Sequence, residues 1–192
     1  MAATDERVPE VYVQPGECPL VTEPAMICTV LGSCVGITFH VPRLGIGGLC
    51  HPMLPKYPVN RLVTMSESAK CRYVDFTIRA MARRLDSLRA GRGEIEVKLF
   101  GGADVLTVSE NATRPSVGKL NCEAAMRVLE EEGFKVAASS LGGRQGVHIR
   151  FQTVTGEVLL RRLDCIPSLD QMESGRKPNH SRTTGSGTAS RG

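Results

Sequence analysis

The chain has 192 residues, of which 41% are hydrophobic and 23% charged, and this composition is typical of a globular protein built as one domain. The net charge is +4, of which residues 167–192 contribute +2, so the body of the chain is too weakly basic to indicate a nucleic-acid-binding protein. No apolar run reaches the roughly 18 residues of a membrane-spanning helix, and the amino terminus lacks a secretory signal pattern, so we predict a cytoplasmic protein without direct membrane insertion.

The first third of the chain is predicted to consist mainly of strands. A short strand signal at residues 11–13 is followed by a predicted loop at residues 16–24. Two β-rich runs, at residues 26–31 and 35–40, are then separated by the turn Gly32-Ser33-Cys34.

A hairpin connection is predicted at residues 42–45, with a returning strand at residues 46–54. If this hairpin forms, Cys34 and His51 come to neighbouring strand ends. Cross-strand partners have Cβ atoms about 4.5–5.5 Å apart, which is close enough for a hydrogen bond between the thiol and the imidazole.

Two amphipathic helices follow. A capping-box pattern at Thr64-Met65-Ser66-Glu67 predicts the start of the first, and an apolar stripe continues it through Val74, Ile78, Met81, Leu85 and Leu88. The second helix is predicted at residues 117–132 and ends at Gly133. Further strands are predicted at residues 95–100, 134–140, 147–153 and 157–163.

This pattern predicts a mixed α+β fold with mostly hairpin-linked strands and one folded domain over residues 11–165. Residues 1–10 are polar and are expected to be flexible. Residues 166–192 are basic and rich in Ser, Thr and Gly with almost no apolar side chains, so we predict a disordered tail there.

The seven cysteines are scattered over the whole chain. They form an odd set without a CxxC pair or a repeated spacing, which argues against a disulfide framework and against a zinc ribbon. Most of them are expected to be reduced, buried, apolar side chains. They stand at positions 18, 28, 34, 50, 71, 122 and 165.

Cys34 and His51 form the most chemically suggestive pair. Cys34 lies on a turn bounded by glycines, and His51 follows Gly47-Gly48 and precedes Pro52 and Pro55. Glycines allow close approach of another backbone, and prolines hold a loop in place. A neighbouring imidazole can convert a thiol to a thiolate nucleophile for acyl-transfer chemistry. The sequence therefore supports a Cys/His dyad as one hypothesis.

A metal site is the competing hypothesis for the same residues. Thiolates and neutral imidazole suit zinc, and Cys28, Cys34, Cys50 and His51 lie close in sequence. Adjacent residues on a strand point to opposite faces, however, so Cys50 and His51 are not expected to share one ion. We therefore predict no metal site at these residues, and a reaction carried by a cysteine thiol and an imidazole needs no organic cofactor.

Several motifs together resemble the CheD family of chemoreceptor glutamine deamidases. The most specific is the block from Thr29-Val30-Leu31-Gly32-Ser33-Cys34-Val35-Gly36 to Gly45-Ile46-Gly47-Gly48-Leu49-Cys50-His51-Pro52-Met53-Leu54-Pro55. Further markers follow in order, namely Lys98-Leu99-Phe100-Gly101-Gly102-Ala103, Gly118-Lys119-Leu120-Asn121, Gly142-Gly143, Phe151 and Thr155-Gly156-Glu157-Val158. The resemblance spans roughly residues 11 to 165.

The resemblance implies a three-layer α/β/β sandwich related to the bacterial toxin deamidases that act on glutamines. It implies hydrolysis of selected glutamine side-chain amides to glutamate on methyl-accepting chemotaxis receptors, within their cytoplasmic helical region. It also implies binding to a CheC-type phosphatase in some systems. The expected reaction passes through a cysteine thioester.

Site residues carry over from the family by position. Cys34 corresponds to the nucleophile and His51 to the general base, while Gly32 and Ser33 support the turn and the oxyanion. A family Thr upstream of the turn orders the pair, and Thr29 and Cys28 compete for that place. Two departures stand out: Val147 replaces a common Arg, with His148 beside it, and Cys50 replaces a small or polar residue.

Two rival functions remain open on the sequence alone. One is a non-catalytic chemotaxis adaptor that docks to receptors or to a CheC-type phosphatase. The other is a Cys/His amidase or peptidase with a different substrate.

Overall fold

The computed structural model describes residues 8–58, 65–104 and 114–163. Nine strands are present in these ranges: β1 (Glu10–Tyr12), β2 (Leu20–Val21), β3 (Met26–Leu31), β4 (Val35–Val41), β5 (Ile46–Cys50), β6 (Glu96–Gly101), β7 (Val136–Leu141), β8 (Val147–Gln152) and β9 (Val158–Arg162). The three α-helices in the same ranges are α1 (Glu67–Lys70), α2 (Val74–Ser87) and α3 (Val117–Glu131).

The strands form two sheets. One has five strands in the order β2-β5-β4-β6-β7, and the other has four in the order β1-β3-β8-β9. Strand β4 lies at the centre of the larger sheet, and all seven of its residues are buried. A strand covered on both faces is expected to be apolar throughout, as Val35-Gly36-Ile37-Thr38-Phe39 largely is.

Each face of the five-stranded sheet packs on a different layer. Its helix side forms one core with α2 and α3, in which Ile37 and Phe39 of β4 meet Ile78 and Leu129. Its other side meets the four-stranded sheet in a second core, formed by residues that include Leu31, Leu49, Phe100, Ile149 and Phe151. The predicted α+β fold with α, β and β layers is therefore confirmed.

The helix stripe was predicted correctly except at its end. Val74, Ile78, Met81 and Leu85 are buried, whereas Leu88 is 41% exposed. Helix α2 ends at Ser87, so Leu88 lies beyond the last turn and leaves the face that packs on the sheet.

The first helix begins differently from the prediction. Ser66, not Thr64, is the N-cap, and its hydroxyl accepts a hydrogen bond from the Ala69 N–H. The chain then makes only one helical turn, breaks at residues 71–73, and starts again as α2 at Val74. Thr64 itself lies outside the described residues.

Two other elements differ from the prediction. The segment expected as a loop at residues 16–24 contains the two-residue strand β2, which pairs with β5. The returning strand ends at Cys50 because His51 leaves the ladder to bond with residues 16 and 17.

Residues 1–7 and the tail predicted at 166–192 lie outside the described residues. No described helix has the length and apolarity required to span a bilayer.

Candidate active site

The turn that carries Cys34 connects the two sheets. Strand β3 belongs to the four-stranded sheet and β4 to the five-stranded sheet, so residues 32–34 cross from one layer to the other. All three carbonyls of the turn accept hydrogen bonds: Gly32 from the Ala103 N–H at 2.8 Å, Ser33 from Asn121 Nδ2 at 2.9 Å, and Cys34 from the Gly102 N–H at 2.7 Å. The turn is thus held through its backbone.

This anchoring requires glycine where the end of β6 approaches the turn. Gly101 has φ +87°, and a Cβ atom there would lie 2.5 Å from the Cys34 carbonyl oxygen. At the start of α3, a Cβ atom on Gly118 would lie 2.5 Å from the Gly102 carbonyl oxygen. Since neither contact could be relieved without moving backbone, the strand end and the helix start can support the turn only with glycine at these positions.

His51 directly follows β5 and is almost fully buried, with 2% of its surface exposed. Its backbone bonds to the loop after β1, since the His51 N–H donates to the Glu17 carbonyl at 2.9 Å and the His51 carbonyl accepts from the Gly16 N–H at 2.7 Å. Its ring atom Nδ1 lies 2.8 Å from Thr29 Oγ1. Both backbone and ring are therefore fixed.

The contacts of Thr29 define the tautomer of His51. The Thr29 hydroxyl donates its single proton to the Val13 carbonyl, 2.7 Å away. It must then accept a hydrogen bond at Nδ1, so the proton of the neutral ring is on Nδ1. The other ring nitrogen, Nε2, consequently carries a free lone pair and can act as a base.

The structure separates the two candidates for the upstream threonine position. Thr29 faces the core between the sheets and contacts His51. Cys28 is also buried, but it points to the opposite face of β3, beside Glu10 and Arg150. Of the two, only Thr29 is placed to orient the imidazole.

Cys34 and His51 lie at the same end of the five-stranded sheet but are not hydrogen-bonded to each other within the described residues. The pairing of Ile37 with Cys50, continued past the strand ends, places Cys34 opposite Met53 and diagonal to His51. Diagonal neighbours are farther apart than direct cross-strand partners. Cys34 and His51 do not make the direct thiol–imidazole bond that the hairpin made plausible, and Nδ1 of the His51 ring is held by Thr29.

Burial sets the protonation states of both groups at rest. It raises the pKa of the half-buried Cys34 thiol, while the residue's own backbone N–H lowers that pKa by a smaller amount. Burial also lowers the pKa of His51, with the Val13 carbonyl and the Glu17 charge acting in the opposite direction. At neutral pH the pair is therefore a thiol and a neutral imidazole.

Donors remain available beside the thiol. In the described part of the chain, no carbonyl or carboxylate accepts a hydrogen bond from the Ser33 or Cys34 N–H, whereas the Val35 N–H donates to the Pro52 carbonyl at 3.3 Å. The Ser33 and Cys34 amide protons thus have no backbone acceptor among the described residues, and the Cys34 amide proton faces its own thiol. Gly32 takes part in the anchoring of the turn through its carbonyl.

The geometry does not favour the alternative metal site. Cys50 belongs to the core on the helix side of the sheet, whereas Cys34 packs on the core between the sheets. Cys28 faces away from both on the outer side of β3. Among the residues that the structure describes, no group of three or more His, Cys, Asp or Glu side chains could hold a metal ion.

Asn121 is a site residue to which the sequence pattern assigned no role. It is fully buried on α3, and its Nδ2 donates to the Ser33 carbonyl and to the Met53 carbonyl, both at 2.9 Å. One amide group therefore joins the turn before Cys34 to the loop after His51. The sequence marked it only as the last residue of a Gly-x-x-Asn helix start.

Replacing Asn121 by alanine is expected to lower the free energy of unfolding by about 2–4 kcal/mol, because two partly buried carbonyls lose their donor. Urea denaturation would measure the change. Lys119→Ala on the same helix is the matched control, since the Lys119 side chain is 67% exposed and its loss should cost less than about 0.5 kcal/mol. Equal stability of Asn121→Ala and the wild type would contradict the role of Asn121 as a clamp.

A family model and several curated relatives identify the same family. The family model described as CheD chemotactic sensory transduction matches residues 53–162. "Probable chemoreceptor glutamine deamidase CheD 2" of Geobacter sulfurreducens is 40% identical over 85% of this chain and 96% of its own length. "Probable chemoreceptor glutamine deamidase CheD" of Maridesulfovibrio salexigens is 34% identical over 85% of this chain and 98% of its own length.

Two solved structures show a distant likeness. The hypothetical protein YfiH of Bacillus licheniformis has a TM-score of 0.41 and 11% identity, over 65% of this chain and 50% of that one. YlmD from Geobacillus stearothermophilus has a TM-score of 0.40 and 15% identity, over 69% of this chain and 59% of that one.

Proposed function

This chain belongs to the CheD family, and we propose that it is a protein-glutamine deamidase that converts selected glutamine side chains of chemoreceptors to glutamate with release of ammonia. One observation carries the proposal: a half-buried thiol on a backbone-anchored turn lies at the same sheet end as a buried imidazole with a free Nε2. The names of relatives that align over nearly their whole length support the choice of substrate.

The proposed reaction begins with transfer of the Cys34 proton to Nε2 of His51. The resulting thiolate attacks the carbon of the glutamine carboxamide and forms a tetrahedral adduct. Because the two side chains are not hydrogen-bonded to each other at rest, the proposal requires that they approach each other when the substrate enters. Hydrogen bonds of this kind commonly tighten only in the complex.

Charge develops on the former amide oxygen in this adduct. The Ser33 and Cys34 N–H groups belong to the turn that carries the thiol and are the donors proposed to bind that oxygen. Loss of a single donor in comparable sites costs roughly 2.7–4 kcal/mol of transition-state stabilisation. In this proposal Gly32 contributes through its carbonyl, which keeps the turn in position.

Breakdown of the adduct requires a proton for the leaving nitrogen. Protonated His51 supplies it, ammonia departs, and a thioester joins Cys34 to the former glutamine side chain. Neutral His51 then takes a proton from water, which attacks the thioester and releases glutamate. The low pKa of His51 favours the first of these steps, since the imidazolium gives up its proton readily to the leaving nitrogen.

Thr29 is proposed as the residue that orients His51. Replacing it by valine removes the acceptor for the Nδ1 proton, which frees the ring to adopt the other tautomer, with Nε2 protonated. We expect kcat/KM to fall by about 10²-fold, with Thr29→Ser close to the wild type because serine keeps the hydroxyl. Ammonia release would measure both variants, and unchanged activity of Thr29→Val would refute the role.

The test of the function uses the full chain and a purified cytoplasmic fragment of a chemoreceptor. Mass spectrometry of receptor peptides should show the mass increase produced when an amide nitrogen is replaced by oxygen, at particular glutamines only. Stable binding without any conversion would instead indicate a non-catalytic adaptor. Cleavage of the receptor backbone would indicate a peptidase.

Two further parts of the proposal concern its setting. The protein is proposed to work in the cytoplasm, on the cytoplasmic helical region of its receptors. Association with a CheC-type phosphatase remains a prediction from the family resemblance, to be tested by co-purification with such a protein.

A further inference from the structure

Two thiols outside the proposed active site lie in direct contact. Cys18 Sγ and Cys71 Sγ are 2.8 Å apart, although the residues are 53 positions apart in the chain. Cys18 belongs to the loop between β1 and β2, and Cys71 to the break between α1 and α2. Sulfur atoms in a disulfide are about 2.05 Å apart, so a bond needs an approach of only about 0.8 Å.

The thiol pair flanks the segment that carries His51. On one side, residues 16 and 17, directly before Cys18, make the two backbone hydrogen bonds to His51. On the other, the Arg72 carbonyl, directly after Cys71, accepts from the Met53 and Leu54 N–H groups at 2.8 and 3.0 Å. A disulfide between Cys18 and Cys71 would join the two backbone segments, residues 16–18 and 71–72, that hydrogen-bond to the segment carrying His51.

Small molecules have a route to the pair. Cys18, Ser68 and Cys71 line two surface cavities, one of about 440 Å³ and one of about 360 Å³. The larger cavity also exposes Arg83 and Arg84, and Arg84 Nη1 donates to the Cys18 carbonyl at 2.8 Å. The thiols are therefore shielded on the core side and open toward the cavities.

We propose that Cys18 and Cys71 are a redox modification site, oxidised by a hydroperoxide to an intramolecular disulfide that clamps the His51 segment. One thiol gives up its proton as its sulfur attacks the peroxide, and the O–O bond breaks to give a sulfenic acid and hydroxide or alkoxide, which takes up that proton and leaves as water or an alcohol. The second thiol attacks the sulfenic sulfur, the S–O bond breaks, and the departing oxygen leaves with the second thiol's proton as water. Two sulfurs lose two electrons in total, and the peroxide gains them.

The surroundings keep both thiols protonated at rest. A hydrogen bond with Cys50 is the largest cause that raises the pKa of Cys18 to about 12, while Cys71 and the charge of Arg84 act to lower it. Contact with Cys18 and burial also raise the pKa of Cys71, which faces Arg84 and Glu67. Cys50 is thus the third thiol of the cluster and the natural competitor for a bond to Cys18.

Cyanogen bromide cleavage can distinguish these pairings. Cleavage after the methionines places Cys18 alone in the fragment 2–26, Cys71 alone in 66–81, and Cys50 in 27–53 together with Cys28 and Cys34. The full chain is treated with hydrogen peroxide, its remaining thiols are alkylated, and it is cleaved without reduction. Mass spectrometry should find fragments 2–26 and 66–81 linked, and dithiothreitol should separate them.

The linked form should also differ physically from the reduced form. Closing a loop of this length is expected to raise Tm by roughly 5–10 °C. The amide protons of His51, Met53 and Leu54 should exchange with solvent at no more than about a tenth of their rate in the reduced form, because the segments that carry their acceptors are then covalently joined. Both changes should be absent in Cys71→Ser and retained in Cys122→Ser, which alters a half-buried thiol elsewhere.

Three outcomes would overturn the proposal: no linked fragment, a link between 2–26 and 27–53, or a correct link without slower exchange at these amides. None of these readouts depends on deamidation. A chain that fails to modify receptors can still show the disulfide, so this site and the proposed function fail separately.

Discussion

Replacing Cys34 by alanine is expected to reduce ammonia release from receptor fragments by about 10⁴-fold or more, to the limit of detection. No other described thiol combines half-burial with a turn whose amide protons lack a backbone acceptor, so none is expected to replace it as the proposed nucleophile. The fold should persist, because the turn is held by its carbonyls and not by the cysteine side chain.

The matched control is Cys28→Ala, which removes a buried thiol from the opposite face of the adjacent strand. Its activity should stay close to that of the wild type. Circular dichroism and urea denaturation would check that both variants are folded. A folded Cys34→Ala protein with substantial activity would refute thiol catalysis, and a large loss in Cys28→Ala would mean that the effect is not specific to Cys34.

Replacing His51 by glutamine is expected to lower kcat/KM by about 10²- to 10⁴-fold, the usual contribution of a general acid–base group. Glutamine fills similar space and can still bond to Thr29, but it cannot take the thiol proton. His148→Gln is the control, since His148 lies on β8 in the four-stranded sheet and pairs with Val30. A His51→Gln variant as active as this control would exclude His51 as the base.

The pH profile provides an independent test of the same residue. Because burial lowers the pKa of His51 below its usual 6.5, the basic form persists to lower pH than in a free imidazole. Activity should therefore be nearly constant when the pH is lowered from 7 to 6.5, and it should fall only below that value. His51→Gln should lose this acid limb, and an acid limb above pH 7 in the wild type would contradict the burial argument.

The same shift affects stability, with a definite sign. A histidine whose pKa is lower in the folded than in the unfolded chain takes up protons on unfolding. Its contribution to stability is complete above about pH 6.5 and declines as the pH falls toward the folded-state pKa.

Much of the fold and of the candidate site could be predicted from local sequence. Alternating and β-branched runs identified most strands, and the hairpin between β4 and β5 brought Cys34 and His51 to one sheet end. The alternation of side chains along a strand also predicted correctly that Cys50 and His51 face opposite sides of the sheet. These properties depend on periodicity over a few residues, and such short-range patterns are visible in a single chain.

The rest depends on contacts between distant segments. Nothing local indicates that residues 32–34 cross between two sheets, and only that crossing determines whether Thr29 or Cys28 faces the imidazole. The offset of Cys34 from His51 follows from the register, and a shift of one residue would place them on opposite faces. The role of Asn121 requires α3 to lie over the turn, which helix periodicity alone does not predict.

The anchors of the Cys34 turn have a consequence for biosynthesis. Asn121 follows Ser33 by 88 positions, and the strand end that bonds to Gly32 and Cys34 is also distant in sequence. On the ribosome, Cys34 is therefore synthesised long before any of these donors exist. The anchored arrangement of its turn can form only when α3 has emerged and docked.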